Sequence, residues 1–161
     1  MAHIPVNHPA RTLYRIFAAL IGLYILVFGV IGVIQTWGEP LFDRGDHWVL
    51  GLRTNLAFAL ISVIFGAVII IGTAQRGNLG HFMNLTIGVI FMVTALLMMA
   101  VLQTEANFLN FSMSTVIVSM IFGLLVLATG LYDKVGPPAE AARARAYPHR
   151  PVSSPAPDRR R

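Results

Sequence analysis

The stretch FDRGDHWVLGLRTN, residues 42–55, concentrates more reactive side chains than any other part of the chain between its two ends. Asp43, Asp46 and His47 place two carboxylates and an imidazole within five residues, the donor types of a divalent-cation site. Only one glycine, Gly45, shapes the stretch, and no further ligand stands nearby, so the spacing favours a solvated acidic loop and no resident metal. Arg44-Gly45-Asp46 spells an integrin-type tripeptide, a match that three residues reach by chance. Arg53-Thr54-Asn55 has a better defined use. Asn55 stands where its side-chain oxygen can accept from the free N–H groups of a following helix. Asn107 and Asn110 precede a later apolar run in the same way, and Glu105 or Asp46 is within reach of Arg53. The expected cluster is Arg53, Asn55, Glu105, Asn107 and Asn110, a structural rim, with a pocket for a lipid headgroup or partner as the alternative.

Other chemistries are excluded or left without support. The chain has no cysteine, which removes disulfides, thiolate nucleophiles, iron–sulfur clusters and zinc–cysteine sites. No Ser–His–Asp set, no pair of carboxylates with a spacing logic and no phosphate-binding glycine loop is present. Asn84-Leu85-Thr86 and Asn110-Phe111-Ser112 match the glycosylation acceptor pattern but lie against apolar runs. Met92, Met98, Met99, Met113 and Met120 read as adaptable packing rather than copper ligands.

The elements that position these residues follow from composition. Apolar residues make up 56% of the chain and charged residues 12%, against about 25% charged in ordinary soluble domains. Four stretches reach the roughly twenty apolar residues needed to cross a bilayer as a helix: 14–34, 55–74, 82–102 and 111–132. In hydrocarbon each must satisfy its own backbone, so each is a helix. A soluble bundle would leave almost no polar surface for water. The first run is also too long for a signal peptide and lacks a small-residue cleavage site. The expected fold is all-α, a four-helix transmembrane bundle over 14–135, after an amino-terminal segment 1–13 and before a disordered Pro/Ala/Arg-rich tail over 136–161.

The basic residues set the orientation. Arg11, Arg15, Arg76, Lys134 and the tail arginines fall on one side of the spans, and only Arg44 and Arg53 fall on the other. By the positive-inside rule both termini are cytoplasmic and residues 42–55 face outward across the cytoplasmic membrane. The basic tail then lies beside anionic lipid headgroups. Its single tyrosine gives no basis for nucleic-acid binding. No Asp, Glu, Lys, Arg or His occupies the middle third of any span, which argues against proton-coupled pumping. His3, His8, His47, His81 and His149 all lie outside the spans or at their edges, which argues against haem ligation.

The spans repeat. Ser62-Val63-Ile64-Phe65-Gly66 in the second returns as Ser119-Met120-Ile121-Phe122-Gly123 in the fourth, and Ile21-Gly22 in the first returns as Ile87-Gly88 in the third. Two tandem helical hairpins of one design are therefore expected. Lipid supplies no hydrophobic drive between helices, so association depends on close contact at small residues. Gly22, Gly29, Gly66, Gly123 and Gly130 are expected at helix interfaces, with Ser62 and Ser119 hydrogen-bonding across helices. These stripes serve either the bundle or a dimer face, and the sequence does not separate the two.

The segments NHPARTLYRIFAALIGLY, LGLRTNLAFALISVIFGAVI and NFLNFSMSTVIVSMIFGLLVLATGLYDKVG resemble an uncharacterised family of four-helix membrane proteins common in actinobacteria, a domain of unknown function. The resemblance covers roughly 7–136 and implies an integral protein of the cytoplasmic membrane, with no activity or catalytic residue to carry over. The expected role is non-enzymatic and without a cofactor: a structural or accessory subunit packing with itself or a larger membrane complex. The alternative is a small transport or lipid-binding protein with a site at the outer rim between the hairpins.

Overall fold

A computed structural model describes residues 7–75 and 78–137. Arg76 and the tail from 138 onward, including Arg143 and the other tail arginines, lie outside the described residues. The elements are α1 (Arg11–Thr36), β1 (Trp48–Val49), β2 (Leu52–Arg53), α2 (Leu56–Ala74), α3 (Leu79–Ala100) and α4 (Met113–Tyr132). All four helices are long and apolar enough to cross a membrane. Large apolar side chains such as Ile34, Ile64, Phe82 and Leu124 point away from the bundle, as they do where lipid is the solvent. The chain is a multi-pass membrane protein.

The helix ends differ from the apolar runs for local reasons. α1 begins at Arg11, three residues before the expected span, because its two arginines find partners inside the fold. Arg11 pairs with the buried carboxylate of Asp133, and Arg15 donates to the carbonyls of Thr73 and Gln75 at the end of α2. α3 likewise starts early, at Leu79, and takes in His81, whose Nδ1 lies 2.5 Å from the Gly130 carbonyl. α4 starts late, at Met113, because Ser112 caps it and Asn107 holds Phe111 outside the helix. The expected rim was all loop, yet it contains a short antiparallel ladder that pairs Trp48 with Arg53 and Val49 with Leu52.

The helices form a ring in chain order. α1 lies along α2 and α3 along α4, while α2 with α3 and α4 with α1 touch more sparingly and the diagonal pairs do not approach. Each close pair depends on glycine. A methyl group on Gly66 would lie 2.5 Å from the Leu26 nitrogen and 2.8 Å from the Gly22 carbonyl oxygen. One on Gly29 would lie 2.6 Å from the Val63 nitrogen. The second hairpin uses the same register. Gly123 faces Met92, four residues past Gly88, just as Gly66 faces Leu26, four past Gly22. Gly88 in turn meets Leu127 as Gly22 meets Ile70, and Gly130 abuts the Leu85 nitrogen at 2.6 Å. The small residues of the sequence repeat are therefore consumed inside the chain.

Two apolar cores result. Ala18, Ile21, Ile25, Ile69, Ile87 and Val126 pack toward the end that carries the termini. Phe28, Phe58, Met98, Phe111 and Val116 pack at the opposite, loop end, together with Val49 and Leu52 of the ladder. The serines do not bridge helices as expected. Ser62 donates to the Phe58 carbonyl of its own helix, and the hydroxyl that crosses is Thr129, to the Tyr14 carbonyl.

The equivalent positions Gly66 and Gly123 differ in how closely the facing helix approaches, which sets an expected order of sensitivity. Gly66→Ala drives a methyl group into the Leu26 backbone and should lower stability by about 1–3 kcal/mol, the usual cost of overpacking. Gly123→Ala meets its nearest neighbours at 3.0–3.2 Å and should cost less. Thermal midpoints of the two variants in one mild detergent check the order; equal midpoints would contradict it.

Candidate functional site

The loop end is built by the segments 37–55 and 101–112. Between β1 and β2 the chain turns at Leu50 and Gly51, both at positive φ (50° and 81°), the two-residue hairpin turn whose twist matches paired strands. Tyr24 of α1 donates to the Leu50 carbonyl at 3.2 Å, and Val49 and Leu52 are buried beneath the turn. Thr115 of α4 receives the Arg53 N–H at 3.1 Å and donates back to the Arg53 carbonyl at 3.3 Å. The ladder is thereby pinned across the helix ends, and the Arg53 backbone is fixed.

Three buried asparagines then order the two segments, and two of them, Asn55 and Asn110, tie one to the other. Asn55 caps α2 by accepting from the Phe58 N–H at 2.9 Å, and its amide donates to the Phe108 carbonyl at 2.8 Å and to the Asp43 carbonyl at 3.2 Å. Asn107 closes a loop on itself, accepting from the Phe111 N–H and donating to the carbonyls of Leu102 and Phe111. Asn110 adopts a positive φ of 55° and donates at 2.9 Å to the carbonyls of both Gly45 and Thr54. These amides satisfy loop carbonyls that would otherwise be buried unpaired, at about 1–3 kcal/mol each. Asn84 and Asn110 are both buried, so neither glycosylation pattern is a surface acceptor.

The charges are distributed differently from the expected pairing. Glu105 is bonded by Arg44, at 2.5 Å, not by Arg53. Arg53 reaches only the carbonyls of Arg44 and Gly45, at 3.3–3.4 Å, because the ladder aims its side chain back over the 44–45 turn. Among the described residues its guanidinium has no carboxylate partner. Asp43 accepts from the Gly45 N–H and faces His47 at 3.5 Å, and Asp46 accepts from the Trp48 indole. Among the described residues no group of three metal-ligating side chains assembles.

Two cavities lie at this end. A polar one of about 370 Å³ is lined by Arg44, Arg53, Leu102, Glu105, Asn107, Asn110 and Phe111. An apolar one of about 310 Å³ lies between α2 and α3, where the hairpins touch sparingly. Its walls include Ile61, Phe65, Ile90, Thr94 and Phe108, with Ser62 and Ser119 at its back. Phe111 lines both. The structure thus gathers Arg53, Glu105, Asn107 and Asn110 around one space and leaves Asn55 beneath it as a cap. Arg44 belongs to the same space, a member missed because nothing in its local spacing distinguishes it from the other loop charges.

The end carrying the termini holds a second polar cluster not anticipated from sequence. His8, Tyr14 and Tyr132 stack together, and Asn7 exchanges hydrogen bonds with Lys134 and Gly136. Asn84 is completely buried on α3 beside Gly72, and among the described residues neither of its amide atoms has a hydrogen-bond partner.

Residues 15–132 match the model of a family described as Domain of unknown function (DUF4383). No curated protein and no solved structure matches the chain.

Substitutions at Asn110 and Asn84 test these assignments. Asn110→Ala loses the amide and keeps a β-carbon at positive φ, whereas Asn110→Gly loses the amide together with the β-carbon and so relieves that backbone strain. The alanine variant should therefore melt lower than the glycine variant, with both below the parent protein. Asn84→Leu replaces two unpaired buried polar atoms with bulkier methyl groups, and Asn84→Val removes them with less added bulk; the better fitting of the two should raise the thermal midpoint. A lowered midpoint in both would show that the amide has a partner that contributes to stability.

Proposed function

The chain belongs to this family of unknown function over most of its length, and from that premise we propose that it is a non-catalytic, multi-pass protein of the cytoplasmic membrane that binds a lipid-type amphiphile at its outer rim, between the two hairpins. The observation that carries this reading is that an apolar cavity and a polar cavity lie on either side of one shared wall residue, Phe111. Amphiphiles have that same division, and cavities of about 300–1,000 Å³ are the usual size for small-ligand sites. The loop end faces outward in this reading because Arg11, Arg15 and Lys134 lie at the opposite end.

The accessory-subunit alternative drew its motive from small residues on helix faces. Gly22, Gly29, Gly66, Gly88, Gly123 and Gly130 are all spent on contacts within the chain, which weakens that motive. Little among the described residues favours a catalytic role. Apart from Arg11, Arg15 and His81 near their ends, the helices carry no ionisable side chain other than tyrosine, and the carboxylate–imidazole contact at the loop end, Asp43 with His47, engages no hydroxyl among the described residues.

Filling the apolar cavity tests the reading. Ile90→Trp and Thr94→Trp place an indole in the space between α2 and α3, whereas Leu124→Trp places one on the lipid-facing side of α4. Native mass spectrometry of the full chain in mild detergent should show bound lipid in the parent protein and in Leu124→Trp. The two cavity variants should retain about tenfold less, equivalent to about 1.4 kcal/mol. Equal lipid on all four proteins would sink the proposal.

A further inference from the structure

We infer that the amphiphile is a phosphate-bearing anionic lipid of the outer leaflet, with its phosphate at Arg53 and one acyl chain in the slot between α2 and α3. This inference rests on the lipid-binding reading above and adds the headgroup and the number of chains.

The charge of the polar cavity points to the headgroup. Two guanidinium groups and one carboxylate line it. The carboxylate, Glu105, is 99% exposed and engages Arg44 alone, an ion pair of the kind that contributes about 0–1 kcal/mol. Among the described residues, Arg53 contributes a cation whose only partners are two carbonyl oxygens at long distances. Thr115 and the ladder fix the backbone from which the side chain starts, and the Arg44 and Gly45 carbonyls keep its guanidinium on the cavity wall. A planar guanidinium matches a phosphate through paired hydrogen bonds, and an anion placed there can also draw on Arg44 at little cost to its exposed pair.

The physics of the bilayer makes the headgroup decisive. A chain moving from the bilayer into the slot exchanges one hydrocarbon environment for another, so the transfer supplies little drive. Selection must then come from shape and from charge at the rim. The slot, at about 310 Å³, sits at the small end of ligand cavities, which suits one chain with the second left in the surrounding lipid.

The experiment uses the full chain, delipidated in mild detergent and titrated with phosphatidylglycerol, with phosphatidylcholine of the same chains, with lysophosphatidylglycerol and with inorganic phosphate alone. Native mass spectrometry reads occupancy. The expected result is a preference of about tenfold for phosphatidylglycerol over phosphatidylcholine, equivalent to about 1.4 kcal/mol. The single-chain lipid should bind comparably, and added salt should weaken the preference. Arg53→Gln keeps a hydrogen-bond donor for the carbonyls and removes the charge, so it should fold with an unchanged midpoint and lose the preference. Arg53→Lys should recover part of it.

A preference that survives Arg53→Gln, or no preference at all, overturns the headgroup assignment while lipid binding stands. Binding of two-chain lipid without the single-chain form overturns the one-chain assignment. Inorganic phosphate that competes as strongly as phosphatidylglycerol would make this a free-anion site and overturn the lipid source. Loss of every lipid from the parent protein overturns both this inference and the reading it rests on.

Discussion

Helix association without a hydrophobic drive is the constraint on which this structure depends. Water cannot push apolar helices together when the surroundings are equally apolar, so contact itself must hold them. That requires backbones to approach until side chains no longer separate them. Gly29 against Val63, Gly66 against Leu26, Gly88 against Leu127 and Gly130 against Leu85 are the places where this chain achieves it. All four contacts fall within a hairpin. Between hairpins the backbones approach as closely where Gly80 of α3 lies against the Gly72 carbonyl of α2, at the end of the seam that carries the termini, and the apolar cavity opens further along that seam toward the loop end. Tight pairing along each hairpin and the gap at the loop end of the seam between them both follow where glycine is placed.

A gap of that kind needs a cover, because the loops above it expose carbonyls in a region with little water. Asn55, Asn107 and Asn110 provide the donors, and Thr115 anchors the short ladder to α4. Asn107 closes its own loop, while the other two join parts of the chain that the helices alone would leave apart: Asn55 joins α2 to the 101–112 segment, and Asn110 joins that segment to the 42–55 segment. The same bonds leave the charged groups unequally served. Arg44 receives a carboxylate, and Arg53, fixed by its backbone, does not.

The helices, their pairing and the glycine register were legible in the sequence, because membrane spans obey strong and simple rules of length and polarity. The helix ends were not. α1 extends to Arg11 and α3 to Leu79 because partners elsewhere in the chain satisfy Arg11, Arg15 and His81. Asn55 as a cap could be read from position alone, since capping is local. The pairing of Glu105 with Arg44 rather than Arg53 could not, since it depends on how two loops far apart in sequence are folded over each other. The Leu50-Gly51 turn was hidden for a different reason: leucine is a poor signal for positive φ, and the ladder it joins is only two residues long on each side.

The two ends of the bundle contrast in the same terms. At the end with the termini, Arg11 and Arg15 are both spent on internal partners, one on Asp133 and one on the carbonyls that finish α2, so these cations stabilise the fold. At the loop end one arginine is answered weakly and the other only by distant carbonyls, beside an open polar cavity. An arginine engaged by buried partners has little charge left to offer a ligand. One held in place by its backbone and left without an anion retains nearly all of it. Arg53 is of the second kind, on the wall of a polar cavity that shares Phe111 with the cavity in the seam where the hairpins part.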